Sequence, residues 1–392
     1  MYRAILAFSC VLLCFGTLAA ADSKVTLKKE GSGLKVLVGD DVFTVFRFEK
    51  ERRKPFFYPV SAAGGFARLT EAAEKDPAES DARKVIVVSD AASLSAEGRP
   101  AEPVPFGTIL TVAKVDGNKV LIADRNAWLD RSDIVPLAST LTRVIQDEPH
   151  VNKDRKSPDF YDHPHHKGIW FAVDEINGIK FWMEESLVVT RSVEIVKNDA
   201  DSASFSYVCE WLDKENQPVL EQKTLVTISN DRLISFDATL IAAADKVHIG
   251  DTKEGMFAIR FANSMPEKLA GGPVTTSEGI TGANSAWGKT ARWINYVGPV
   301  QGQKYAVTIM DSTDNPWASR YHVRDYGLFS VNPFGAASYT EKTADAQPAH
   351  AKDLKKGDSL RFRYGLWVHD AADNAQQIQD AYTLFVKTSG QN

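Results

Sequence analysis

Three of the chain's eight histidines fall within four positions, in the stretch Tyr161-Asp162-His163-Pro164-His165-His166-Lys167-Gly168-Ile169-Trp170. Imidazole titrates nearest neutrality, so it serves as acid, base or metal ligand with little tuning. Asp162 adds a carboxylate and Trp170 an aromatic face. The stretch reads as one wall of an active or binding site. The plainer alternative is a histidine-rich turn with ordinary hydrogen bonds. If the segment is extended, His163 and His165 share one face and His166 takes the other. Pro164 stiffens it and removes one backbone donor. Such a pair suits a proton shuttle or two metal ligands, and a metal would need a further ligand from afar. No cofactor is predicted, with a divalent metal as the alternative.

Three other segments carry candidate groups. In Asp251-Thr252-Lys253-Glu254-Gly255 a loop feeds the strand Met256 to Arg260. Glu254 is a candidate base or sugar-gripping carboxylate, and Arg260 a clamp for an anionic group. A plain Glu/Arg surface pair is the rival reading. His322 and Arg324 alternate onto one face if their segment is extended. Asn315 lies upstream and Asn332 downstream, in Asn332-Pro333-Phe334-Gly335, where the amide could hold a ligand or its own backbone. Trp287, beside Gly288, is either a sugar platform or a core ring at a tight turn. Tyr58 lies in the aromatic run Lys54-Pro55-Phe56-Phe57-Tyr58-Pro59.

The expected catalytic set is therefore His163, His165, His166, Glu254 and His322. The expected substrate-binding set is Tyr58, Asp162, Trp170, Arg260, Trp287, Asn315, Arg324 and Asn332.

Strands must position these groups. From Val25 to Phe48 short β-branched runs alternate with Gly-containing turns. Long alternating segments follow the histidines, at Leu187 to Val196, Ser202 to Leu212, Leu220 to Ser229 and Leu233 to Ile241, with turn residues between them. This meander predicts a large antiparallel sandwich. Further strands are expected at Phe257 to Phe261, Ala291 to Val297, Tyr305 to Met310, Leu328 to Val331 and Leu360 to Val368. Glu71 to Ala82 reads as a solvated linker or short helix. Ala371 to Lys387 has a helical period, through Ile378, Tyr382, Leu384 and Phe385. The fold class is all-β with a C-terminal helix. No βαβ rhythm or phosphate loop is present.

The N-terminus reads as a secretory signal peptide over residues 1–21. Arg3 supplies the charge, Ile5 to Leu18 the apolar run, and Ala19-Ala20-Ala21 the cleavage site. Cys10 and Cys14 lie within it, so Cys209 alone remains and no intramolecular disulfide can form. The mature chain is expected in the periplasm or outside the cell, with no membrane span. The net charge of -5 is mild and no basic stripe suggests nucleic acid.

Residues 83–138 resemble a bacterial SH3-like barrel, with Gly107-Thr108, the Asp116-Gly117 hairpin turn, Trp128 and Ser132-Asp133-Ile134-Val135. It reads as an insertion between residues 22–72 and 139–392, with a recognition or structural role toward peptide or cell-wall material. The remaining blocks resemble a family labelled "PmoA". They are Lys54 to Pro59, His163 to Trp170, Asn177-Gly178, Phe181-Trp182, Asp251 to Gly255, Trp287-Gly288, Asn315-Pro316, His322-Val323-Arg324 and Asn332 to Gly335. The resemblance implies a galactose-mutarotase-like β-supersandwich and a carbohydrate or glycan partner. The label's methane-oxygenase activity is rejected, because the chain lacks the several spans that a membrane subunit needs.

The expected function is an exported carbohydrate-active enzyme working by His/Glu acid–base chemistry: hydrolysis, elimination or epimerisation. The rivals are a non-catalytic carbohydrate or cell-envelope binding protein and a His-ligated metal-dependent enzyme.

Overall fold

The computed structural model describes residues 23–75, 82–144, 163–269 and 271–388. The signal-peptide reading and Asp162 lie outside these residues. Two antiparallel eight-stranded sheets make the body of the protein. The second sheet is the predicted meander. It runs Val188–Asn198, Ser202–Leu212, Pro218–Ser229 and Leu233–Ala242, followed in space by Ser359–Asp370, Gln303–Asp311, Trp293–Val300 and Val274–Thr276. Strand Leu233–Ala242 alternates between partly exposed and buried positions along its whole length. That is the signature of a sheet with one face in the core and one toward solvent.

The first sheet is built differently. Its order is Val25–Glu30, Gly33–Val38, Asp41–Arg47, Phe56–Val60, Ile169–Phe171, Phe257–Arg260, Leu328–Asn332 and Arg320–Val323. Phe56–Val60, Phe257–Arg260 and Leu328–Asn332 are buried at every position. One face meets the second sheet through aromatic contacts, with Phe46 5.2 Å from Phe205 and Phe236 4.9 Å from Phe257 between ring centroids. The opposite face is covered by loops, and it carries the polar residues described below.

After Phe56–Val60 the chain leaves the sheet and returns as Ile169–Phe171, which pairs with the strand it left. Between them, Lys84–Val87, Ile109–Asp116, Lys119–Ile122, Ala127–Asp130 and Ile134–Pro136 form a five-stranded sheet, and Ser93–Leu94 pairs separately with Glu102–Pro103. This unit has its own apolar core, to which helix Gly65–Lys75 contributes Phe66 and Leu69. The helix begins at Gly65, directly after Gly64 at a φ of 76°, and its apolar residues pack into this second core. The C-terminal helix is Ala375–Lys387, opened by a capping box between Asn374 and Gln377. It lays Ile378, Tyr382 and Phe385 against Trp293 and Met310 of the second sheet.

Candidate functional site

Strand register gathers the candidates. Trp170 pairs with Ala258, Ala258 with Ser330, and Ser330 with His322, so the four stand in one row across four strands. Two residues along, on the same face, come Arg260 and Arg324, and two residues the other way comes Asn332. Their neighbours Phe257, Ile259, Phe329 and Val331 point to the core. A period of two thus collects the polar residues on the face away from the second sheet.

The histidine stretch is a tight turn rather than an extended segment. His166 N donates to His163 O at 2.9 Å, and His163 has a positive φ of 38°. This reverses the expected facing. His163 and His166 lie parallel, 4.7 Å apart, and His165 meets both edge-on. The stack continues on both sides, with Trp170 5.1 Å from His166 and Tyr326 5.3 Å from His163. Gly168 closes the turn at φ +51°, where a Cβ would lie 2.0 Å from Phe57 O, so only glycine fits.

Arg260 Nη1 donates to His166 Nδ1 at 3.1 Å and its guanidinium lies over Tyr326. Arg260 is buried, and this contact lies inside the protein. Burial holds the His166 imidazole well below its ordinary range, with Arg260 adding to the effect. Burial lowers His165 to about 4, assisted by Lys54 and His163 and opposed by Glu184 and Glu254.

Beneath the turn lies a buried ion cluster that the sequence did not advertise. Glu184 Oε1 is 2.9 Å from Lys54 Nζ and 2.7 Å from Lys167 Nζ. Lys54 also donates to His165 O at 2.7 Å, and Lys167 to Arg52 O at 2.7 Å. Burial pushes the Glu184 carboxyl up, but the two ammonium groups outweigh it and hold it below its usual range. Burial and the Lys167 charge bring Lys54 down to about 8, against the pull of Glu184.

Glu254 lies at the other end of the same face, in the loop before Phe257–Arg260. Its Oε2 is 3.4 Å from His322 Nδ1, which also donates to Lys253 O at 3.0 Å. Arg324 Nε donates to His322 Nε2 at 2.9 Å, which places the imidazole proton on Nδ1, facing the glutamate. Burial would raise the Glu254 carboxyl, yet His322, Lys253 and Arg324 hold it below its ordinary range. The Arg324 guanidinium also lies over Trp287, whose ring packs on Tyr339. Asn332 fixes the loop. Its amide donates to Thr252 O at 2.8 Å and Glu254 O at 2.9 Å, and accepts from Phe334 N. These bonds to the protein's own backbone are the ones the sequence left open.

Glu254 opens on a cleft of about 640 Å³ whose walls include Asp174, Lys180, Thr252 and Lys253. Asp174 is absent from the sequence-based set. It closes the apolar run Ile169 to Val173, where an acid reads as the end of a strand. Burial raises its carboxyl to about 6, against a Thr252 hydrogen bond and Lys180 and with help from Glu254 and Glu175.

The remaining candidates lie apart or inward. Asn315 donates to Asp311 and Arg363 O beside the second sheet, and Tyr58 is buried in its strand. Among the described residues no group of three or more His, Cys, Asp or Glu is placed to hold a metal ion. No helix among them is long and apolar enough to cross a membrane.

Residues 134–383 match the model of a family of unknown function, DUF6807, and the chain belongs to that family. No curated protein matches the chain. Among solved structures it is similar to a β-arabinopyranosidase, at 11% identity and a TM-score of 0.35, over 73% of this chain and 40% of that one. It is also similar to the heparan sulfate lyase HepC from Pedobacter heparinus, at 8% identity and 0.29, over 68% and 33%. A GalM/aldose epimerase homologue from C. elegans matches at 9% and 0.26, over 89% and 99%. The chain thus spans well under two thirds of the first two, and likeness of this degree assigns it neither activity nor substrate.

Proposed function

We propose that this protein acts on a sugar or glycan by acid–base chemistry centred on Glu254 and His322. The supporting observation is a linked chain of groups that ends at the wall of the cleft in Glu254. Arg324 orients His322, His322 faces Glu254, and Glu254 opens on a space large enough for one or two sugar rings. A carboxylate held ionised takes a proton from a sugar hydroxyl or from water, and the imidazole behind it spreads the charge. The exposed His163 end of the histidine turn is the second wall of the site on this reading, with the partly exposed Trp287 as its aromatic side, while Trp170, expected to bind substrate, is 1% exposed and packs between His166 and Trp182. Hydrolysis, elimination and epimerisation at a sugar carbon all use such a base. Export through residues 1–21 and a recognition role for the SH3-like residues 83–138 belong to the same proposal.

The test is a screen of the purified protein against neutral, uronate and keto-sugar glycans with product detection. His322→Phe and Glu254→Gln are expected to lower turnover by about a hundredfold or more while leaving the fold intact. Full turnover in both variants, on a substrate that the wild type converts, would remove this pair from the chemistry. Saturable glycan binding with no product would leave a binding protein instead.

A further inference from the structure

The antiparallel pairing of Ile169–Phe171 with Phe257–Arg260 has a consequence at its open end. Phe171 pairs with Phe257, and the ladder continues one step further, with Ala172 N donating to Met256 O at 2.8 Å. The chains then diverge into the cleft. Carrying the register on by two residues sets Asp174 opposite Glu254. Both residues line the same cleft. Asp174 is 3% exposed, and its Oδ1 has no hydrogen-bond partner among the described residues. An unpartnered buried carboxyl oxygen at a cleft wall calls for an explanation.

We infer that Asp174 is the second carboxylate of the site and the proton donor to the glycosidic oxygen of an uncharged glycoside, with Glu254 as base toward water. This rests on the function proposed above and adds the reaction and the substrate class. As the bond from the anomeric carbon to the leaving oxygen breaks, its electron pair stays on that oxygen, which takes the Asp174 proton. Water oxygen bonds to the anomeric carbon and gives a proton to Glu254. The products are two sugars with free hydroxyls, and solvent exchange restores both carboxyls. The two environments suit these roles. Burial and the Glu254 and Glu175 charges raise Asp174 to about 6, against Thr252 and Lys180, so it holds its proton up to that pH, while His322, Lys253 and Arg324 favour the ionised Glu254. Charge at the wall sets the substrate. Glu185, Asp251 and Glu341 join the two carboxyls, against Lys180 and Lys253. The excess of acid disfavours uronates and sulfated glycans.

The experiment joins kinetics to a titration. Wild type, Asp174→Asn and Glu254→Gln are assayed on neutral oligosaccharides and on aryl glycosides whose phenolate leaves without a proton. Asp174→Asn is expected to lose about a hundredfold or more on oligosaccharides and under about tenfold on aryl glycosides, and to lose the alkaline limb of kcat. Glu254→Gln is expected to fail on both. Carbon-13 titration of labelled aspartate is expected to place Asp174 near 6 in the wild type and lower in Glu254→Gln. Equal loss on both substrates, a wild-type midpoint in the ordinary aspartate range, or faster turnover of uronates would overturn the inference. So would binding of neutral glycans without cleavage. If Asp174→Asn alone is silent, the Glu254–His322 reading stands. If Glu254→Gln and His322→Phe are silent too, both fall.

Discussion

Trp170 and His322, far apart in sequence, stand in one row of the first sheet, with only Ala258 and Ser330 between them. The two small residues keep the row low between two large rings. Ser330 Oγ is buried and has no partner among the described residues. Burying an unpaired hydroxyl costs about 1–3 kcal/mol. Ser330→Ala is therefore expected to leave stability unchanged or raise it by about 1 kcal/mol, read from urea unfolding. Loss of stability would show that the hydroxyl has a structural partner.

Asn332 holds the Glu254 loop by donating to two carbonyls, Thr252 O and Glu254 O. Asn332→Ala removes both bonds and is expected to cost about 1–3 kcal/mol. Asn332→Asp is expected to cost more, because a carboxylate would face two acceptors with no proton to give. Thermal melts at neutral pH rank the two variants. A milder effect for Asp than for Ala would mean that the loop is held by other contacts.

The second sheet and the C-terminal helix were legible in the sequence because one side of each faces water. Alternation in Leu233 to Ile241 and a helical period through Ile378, Tyr382 and Phe385 record that difference directly. The first sheet gives a weaker signal, since strands such as Phe257–Arg260 are short and buried on both faces, so only Arg260 marks which face is polar. The polar blocks on its covered face could be picked out singly, but the row that joins Trp170 to His322 depends on pairings between distant strands. Lys54, Lys167 and Glu184 were passed over because isolated charges in a sequence read as solvated. Their partnership exists only once the turn at Gly168 folds over the strand.

That cluster makes a strong prediction. Glu184 balances two buried ammonium groups, and removing one member of a buried ion set typically costs about 3–5 kcal/mol, because the charges left behind are uncompensated. Glu184→Gln removes the carboxylate that both ammonium groups share, leaving their charges to backbone carbonyls, and is expected to reach the upper part of that range. Lys54→Met leaves the Glu184–Lys167 pair and is expected to cost less. Denaturant unfolding at pH 7 compares them. A loss below about 1 kcal/mol in Glu184→Gln would show that solvent reaches the cluster.

His165 gives the fold a defined acid sensitivity. Its folded-state value is about 4, below the ordinary 6.5, because burial, Lys54 and His163 disfavour the charged ring. A group depressed in this way stabilises the folded state above its unfolded value. That stabilisation is lost as pH falls from 6.5 through 4, since the unfolded chain takes up the proton first. The gap is worth about 3 kcal/mol by pH 4 at about 1.4 kcal/mol per unit. Burial likewise raises Asp174 and Asp311 to about 6, so their contribution runs the other way across the same window, being greatest at low pH. Whole-protein stability thus mixes opposing trends, and the informative quantity is the difference between wild type and His165→Gln. That difference is expected to move by about 3 kcal/mol against the wild type between pH 7 and pH 4, measured by urea unfolding at each pH. A difference independent of pH would mean that His165 takes up its proton in the folded protein as readily as in the unfolded chain.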